Sequence, residues 1–314
     1  MIIRFLALLV LLVLGSGCSV QFAYNNLDRL VRWGVNDYVN MNEAQRALFK
    51  EEFAKLHYWH RTEHLPLYAD FLEALPTTLS DSVDPQELLA LENTMMGWAR
   101  EVVEAGVPLA VAIMQSMTEE QVARLPARLE ESNREIEKTE LGKSVEASQA
   151  RWRKEVEDIF TRFAGRLTPP QDEYLLAQSV RYIPERVLWA EYRRRWQGDL
   201  LKLLEARSDP AFAQRFADLA ANREAYFGTE LTAIFDNNEN LGRETAAWLL
   251  NHMPERQTVR MYTRFVELAE DFQELADDAP NWVPRRSPAG SPADGAATGH
   301  PDQRASSRTS HASR

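Results

Sequence analysis

The sequence predicts an all-α protein, a multi-helix bundle of roughly ten helices. A cleaved signal peptide precedes it and a disordered C-terminal tail follows it. Three observations carry this prediction. Apolar residues recur at spacings of three and four, the period of a helix with one buried face. Residues 18–279 hold eight glycines and no Asn-Gly or Asp-Gly turn between alternating runs, so strands are poorly supported. Ten prolines, at 66, 76, 85, 108, 126, 169, 170, 184, 210 and 254, punctuate the periodic runs where helices start or kink.

The chain opens with MIIRFLALLVLLVL. Arg4 supplies a positive start, and Phe5 to Leu14 is an uninterrupted apolar run. That run is shorter than the roughly 20 residues a bilayer span needs. It fits the core of a secretory signal peptide covering 1–17, followed by the small residues Gly15, Ser16 and Gly17. Cys18, the single cysteine, comes next. The segment resembles the lipobox of bacterial lipoproteins, with Leu14 one place earlier than the usual leucine. The resemblance implies that the Cys18 thiol is acylated and becomes the mature N-terminus. Several acyl chains on one residue hold a protein stably on a membrane, whereas one does so marginally. Ser19, not aspartate, follows the cysteine. By the lipoprotein sorting rule that implies the outer membrane, with the body facing the periplasm.

From 280 to 314 the composition shifts to Pro, Gly, Ser and Ala, and core-forming residues end at Val283. Such a segment cannot bury enough apolar surface to order itself. It carries five arginines against Asp294 and Asp302. With the tail and Arg4 set aside, the helical domain at 18–279 bears a net charge of −15 out of the chain's −11. Nucleic acid is therefore not expected as a partner, because phosphate binding needs a cationic face.

Within the body, Leu27, Leu30, Val31 and Gly34 or Tyr38 follow helical spacing, as do Leu48, Phe49, Phe53 and Leu56. A longer run steps through Leu141, Val145, Ser148, Trp152, Val156, Ile159 and Phe163. Trp189, Tyr192, Trp196, Leu200 and Leu203 form another. One five-residue pattern recurs at Met41–Gln45, Met117–Gln121, Leu167–Gln171 and Met253–Gln257, at unequal separations of 76, 50 and 86. An apolar residue precedes Gln by four, and three copies have Asn or Thr second. This is a capping box: the small polar side chain takes a first-turn amide, and the Gln reaches back to the cap. The pattern also resembles the paired Leu-Thr-x-x-Gln motifs of small periplasmic stress chaperones. Arg193, Arg194 and Arg195 sit between Tyr192 and Trp196. They are expected to pair with Glu191, Asp199 and neighbouring acidic helices.

The histidines are the candidate for chemistry. The stretch Leu56-His57-Tyr58-Trp59-His60-Arg61-Thr62-Glu63-His64-Leu65-Pro66 puts His57, His60 and His64 within roughly a 60° arc of an α-helix. Adjacent pairs could each chelate zinc, whereas His57 and His64 would sit about 10 Å apart along the axis. His60-Arg-Thr-Glu-His64 also matches the H-x-x-E-H pattern of inverted zinc peptidases, with Glu63 as base and Glu137 or Glu140 as a further ligand. The surrounding residues and the all-helical pattern do not resemble that family. The competing expectation is a solvent-edge helix whose Trp59 and Tyr58 pack and whose histidines hydrogen-bond. No nucleophile elbow, P-loop or dinucleotide fingerprint occurs.

The chain resembles an uncharacterised family of proteobacterial helical lipoproteins, a domain of unknown function. The residues that carry this are Gly17-Cys18-Ser19 and Gln21-Phe22-Ala23-Tyr24-Asn25-Asn26-Leu27-Asp28, then Trp33, Asp37-Tyr38 and Gln45. The likeness continues from Leu56 to Arg61 and through Leu65, Pro66 and Tyr68, and runs weakly to Phe272 and Leu275. It implies location and fold and offers no catalytic residue. The sequence thus predicts a membrane-anchored, non-catalytic interaction or chaperone-like module with an envelope protein partner. Two alternatives stand beside it: a metal-dependent hydrolase built on His60, Glu63 and His64, and a protein binding lipid or envelope polymer between its helices.

Overall fold

A computed structural model describes residues 17–79, 82–140 and 142–281. The described residues are helical, with short turns and no strand. The order is α1 (Gly17–Asn25), α2 (Leu27–Val39), α3 (Glu43–Trp59), a π-helical turn (His60–His64), α4 (Leu65–Thr78), α5 (Pro85–Ser116) and α6 (Glu119–Glu140). Then follow α7 (Val145–Ala164), α8 (Pro169–Ser179), α9 (Arg186–Glu205), α10 (Phe212–Ala221), α11 (Gly228–Asn251) and α12 (Glu255–Asp277). Single 3-10 turns lie at Arg223–Tyr226 and Ala279–Asn281. None of the described helices is long and apolar enough to cross a membrane. The expected signal peptide and tail lie outside the described residues, apart from Gly17 and residues 280 and 281.

Two long helices organise the packing. α5 has 32 residues, roughly 48 Å of helix. It carries α3, α10 and α11 against its sides. α12 carries α1, α4 and α7, and its pairing with α4 is the most extensive in the protein. Ala69 and Ala269 are buried between α4 and α12 beside Leu65, Leu268 and Phe272. Their small side chains let the two helices approach closely. A second core joins Val111, Met117, Leu129, Leu204 and Phe212 from α5, α6, α9 and α10. A third joins Met41, Phe49, Phe53 and Ile113. α7, α11 and α12 share Phe160, Ala164, Leu249 and Met261. α7 ends on Gly165 at φ +92°, where a side chain would be strained.

The four apolar-x-x-x-Gln segments sit at helix starts, as their pattern predicts. Asn42 and Gln45 make a full capping box, and so do Thr118 and Gln121. The Thr168 amide donates to Gln171 Oε1 at 2.8 Å. At Met253–Gln257 the cap residue is Pro254, which has no N–H to give, so the box is lost there. The segments also pair across the fold. Gln45 and Gln121 exchange amide hydrogen bonds at 2.8 Å in both directions. Gln45 also donates to the Ser116 carbonyl and Gln121 to that of Asn40. Gln171 and Gln257 repeat the arrangement at 2.8 and 3.1 Å, reaching the carbonyls of His252 and Arg166. Each glutamine therefore binds the carbonyl just before its partner's apolar residue. All four glutamines are buried.

One expectation needs correction. The longest run is not helical along its whole length: Leu141 lies outside the described residues, and α7 begins at Val145, because Ser144 caps it through the Ala147 amide at 3.2 Å. Prolines 76, 108 and 126 lie inside α4, α5 and α6 rather than at their starts.

Removing a buried glutamine strands its partner's donors and acceptors. Gln171→Ala is expected to destabilise the fold by about 2–3 kcal/mol in urea unfolding. With Gln257→Ala it should show a coupling above about 1 kcal/mol, while Gln45→Ala with Gln257→Ala should be additive within about 0.5 kcal/mol. Equal coupling in both pairs would show that the glutamines do not work as these two partnerships.

Candidate functional site

Pro66 shapes the histidine segment. It lacks an N–H and would clash with the carbonyl four residues back in an unbroken α-helix. The chain widens instead: the Leu65 amide bonds the His60 carbonyl five residues back, closing a π turn. α3 and α4 then continue as one rod through His60–His64. His57 and His64 are 2% and 1% exposed, while Tyr58 is 49% exposed and Glu63 is also exposed. The solvent-edge expectation is therefore overturned, since this face looks into the core.

The inward groups form a row of rings. Tyr24 of α1 lies 4.6 Å from His57 and 5.7 Å from His60, centroid to centroid. Its hydroxyl meets His60 Nδ1 at 2.7 Å. His60 stacks on His64 at 5.5 Å, nearly parallel. His64 Nδ1 meets the Tyr68 hydroxyl at 3.1 Å, and Trp59 packs on its ring. Burial, with Arg61 and His60 close by, pushes His57 down to about 3. Burial, with His64 and Arg61, does the same to His60. Burial also lowers His64, against the opposing pull of Glu101 and Glu63. Tyr24 and Tyr68 are raised by burial and stay protonated. The histidines and tyrosines of the row are thus neutral near pH 7.

Arg61 completes the row. It is fully buried. Its guanidinium donates to the Leu275 carbonyl at 2.9 Å and to Asn25 Oδ1, and lies 5.1 Å from the Tyr24 ring centroid. The carbonyl is one of those left open at the C-terminal end of α12, where a cation is favoured.

The hydrolase arrangement is not assembled. Among the described residues no three His, Cys, Asp or Glu side chains group to hold a metal ion. Glu63 is exposed, whereas the His57 and His64 rings are buried. Glu137 is bound to Arg194 of α9, and nothing is described of the Glu140 side chain. The carboxylate beside His64 is Glu101 of α5, at 3.4 Å, which the sequence does not single out.

Beside the row lies a cavity of about 350 Å³, within the range of small-ligand sites. α1 to α5 build most of its wall, and Trp196 and Phe216 come from α9 and α10. The wall is nearly all hydrocarbon. Its polar members are Tyr24, His57, His60, Tyr68, Trp196 and Arg223. Trp196 Nε1 is satisfied by the Leu219 carbonyl at 3.2 Å. Gly106 of α5 belongs to the wall, and a Cβ there would meet nothing within 4 Å. Leu30, in the wall, is 48% exposed, and Phe22 and Trp33 on α1 and α2 are 66% and 75% exposed. The arginine triplet, by contrast, is engaged internally. Arg194 binds Glu137 and Glu130, Arg195 lies 3.8 Å from Glu191, and Arg193 donates to Asn133. Asp199 is taken by Lys202 and Tyr226. Cys18 lies in α1, but nothing is described of its side chain.

Residues 37–231 match a protein family described as a family of unknown function (DUF6279), and the chain belongs to that family. The match covers the histidine row and most of the cavity wall. It begins after the Gly17–Asp28 block on which the sequence resemblance chiefly rests. No curated protein matches the chain, and no solved structure does.

Depressed histidines make folding acid-sensitive. The unfolded His57 takes a proton near its ordinary 6.5, the folded one near 3. Stability is therefore full above pH 6.5 and falls as pH drops between those values. At pH 4.5, two units below the ordinary value, His57 alone should remove about 3 kcal/mol. His57→Phe is expected to shrink the loss between pH 7.5 and pH 4.5 by that amount in urea unfolding. An unchanged pH dependence would mean that His57 is not held neutral.

Proposed function

We propose that this family member is a non-catalytic binding protein of the bacterial envelope, anchored to the outer membrane through Cys18 and facing the periplasm. Its ligand is an apolar chain held in the cavity between α1 to α5, α9 and α10. The observation that carries this reading is the cavity wall: about 350 Å³ bounded almost wholly by hydrocarbon. Such a space disfavours sugar-like ligands and ligands charged along their length, whose polar groups would lose water without replacement. A methylene takes up about the space of a water, ~30 Å³, so the cavity holds roughly a dozen. That is much of an acyl chain.

The anchor and the cavity are close in the chain. Val20, Ala23 and Tyr24 of α1 line the cavity and follow Cys18 within six residues. Phe22, Leu30 and Trp33 are exposed on α1 and α2. Apolar and tryptophan side chains of this kind favour a membrane surface. In this reading they rest on the bilayer that Cys18 enters, and the Leu30 edge of the cavity opens beside a supply of lipid. The neutral tyrosines and histidines form a polar lining that needs no counter-charge.

The test uses full-length protein extracted from cell envelopes. Mass spectrometry is expected to find a single-chain or partly inserted lipid near one per protein. Gly106→Leu, which fills open space from a helical position, should reduce that occupancy at least fivefold without lowering the melting temperature. Cys18→Ser should abolish labelling by palmitate and release the protein from membranes. Equal lipid content in wild type and Gly106→Leu would remove the cavity reading. Membrane retention of unlabelled Cys18→Ser would remove the anchor.

A further inference from the structure

The cavity wall contains one charged side chain, Arg223. It follows α10 on the 3-10 turn and stands with Trp196, Phe216 and Ala220. It is partly buried, and its guanidinium forms no hydrogen bond or ion pair with any described residue. The neighbouring arginines are engaged: Arg193 with Asn133, Arg194 with Glu137 and Arg195 with the Tyr226 carbonyl. In a body whose carboxylates far outnumber its cations, an arginine that meets no carboxylate among the described residues and stands at an apolar wall is a ready donor to an external anion. Arg223 and Arg193 both act on nearby Tyr192, with exposed Glu224 the opposing charge. The other polar groups of the wall supply no competing charge, since the Tyr24 hydroxyl is already bonded to His60.

We propose that the cavity takes a single-chain anionic amphiphile, with its hydrocarbon among the apolar side chains and its carboxylate or phosphate on Arg223. This rests on the reading of the cavity as an acyl-chain site and adds the head group. A guanidinium presents paired N–H donors that match the two oxygens of either anion. The apolar wall selects the chain, and the single cation selects the charge at its end. A two-chain phospholipid exceeds the available space, so free fatty acids and lysophospholipids are the two sources of this chemistry.

The experiment uses the full chain held in a lipid-free amphipathic polymer, with a dansylated undecanoate as fluorescent probe. Laurate, lauroyl lysophosphatidylglycerol and dodecanol compete for it. Wild type is expected to prefer an anionic competitor to dodecanol by about tenfold, the range of a hydrogen bond to a charged group. Arg223→Gln should erase that preference while dodecanol still competes, and Arg223→Lys should restore part of it. Preference for laurate points to free fatty acids as the source, and preference for the lysophospholipid to membrane breakdown products. If laurate and dodecanol compete equally in wild type, or Arg223→Gln leaves the preference intact, the head-group assignment is overturned and the acyl-chain reading stands. If no competitor displaces the probe and Gly106→Leu leaves its signal unchanged, the acyl-chain reading itself fails.

Discussion

A guanidinium sealed from solvent sets how the N-terminal and C-terminal parts of this fold meet. Arg61 has no exposed surface, and a buried cation is tolerable only where protein replaces its water. It gets that replacement from three groups on two elements: the open carbonyl end of α12, and Asn25 and the face of Tyr24 on α1. These partners fix α1 across the π turn and pin α12 alongside. α1 then forms one wall of the cavity, and Tyr24 is held where it bonds His60. The same cation helps to keep His57 and His60 uncharged. One buried charge thus underlies both the geometry and the neutrality of the site.

The glutamine pairs serve a different need. Each helix start has free amides and each preceding helix end has free carbonyls. A capping glutamine satisfies the first with its oxygen and the second, on another junction, with its nitrogen. Gln45 with Gln121 ties the α2–α3 turn to the α5–α6 turn, and Gln171 with Gln257 ties α7–α8 to α11–α12. The first of these ties joins helices that wall the cavity. An apolar space of this size persists in a close-packed fold only where its walls are held apart. The continuous α3–α4 rod and the long α5 are stiff enough to do that.

The all-helical architecture, most helix runs and three of the four caps were legible in the sequence, because they rest on local period and on side chains within one turn. The histidine row was legible as a group, although its direction was not. A regular α-helix puts the three rings on one face, but only packing decides whether that face meets water or core. Pro66 was visible, yet whether it would end, kink or widen the helix was not, because Arg61 beside it meets α1 and α12 and His64 meets Glu101 of α5. Glu101 and Arg223 lie far along the chain from the residues they approach, and no spacing rule connects them. The cavity was invisible, since Gly106 and the valines around it read as ordinary helix residues.

By itself, the sequence determined the helical class, the acidic body, the caps at the glutamine segments and the expectation of an acylated Cys18. All of these follow from composition, period and short motifs, which act over a few residues. The tertiary structure decided which glutamine meets which, that the histidines face inward and stay neutral, and that an apolar space stands open with a lone cation in its wall. Those depend on contacts between residues tens to hundreds of positions apart, and on space left unfilled between helices, which no local pattern encodes.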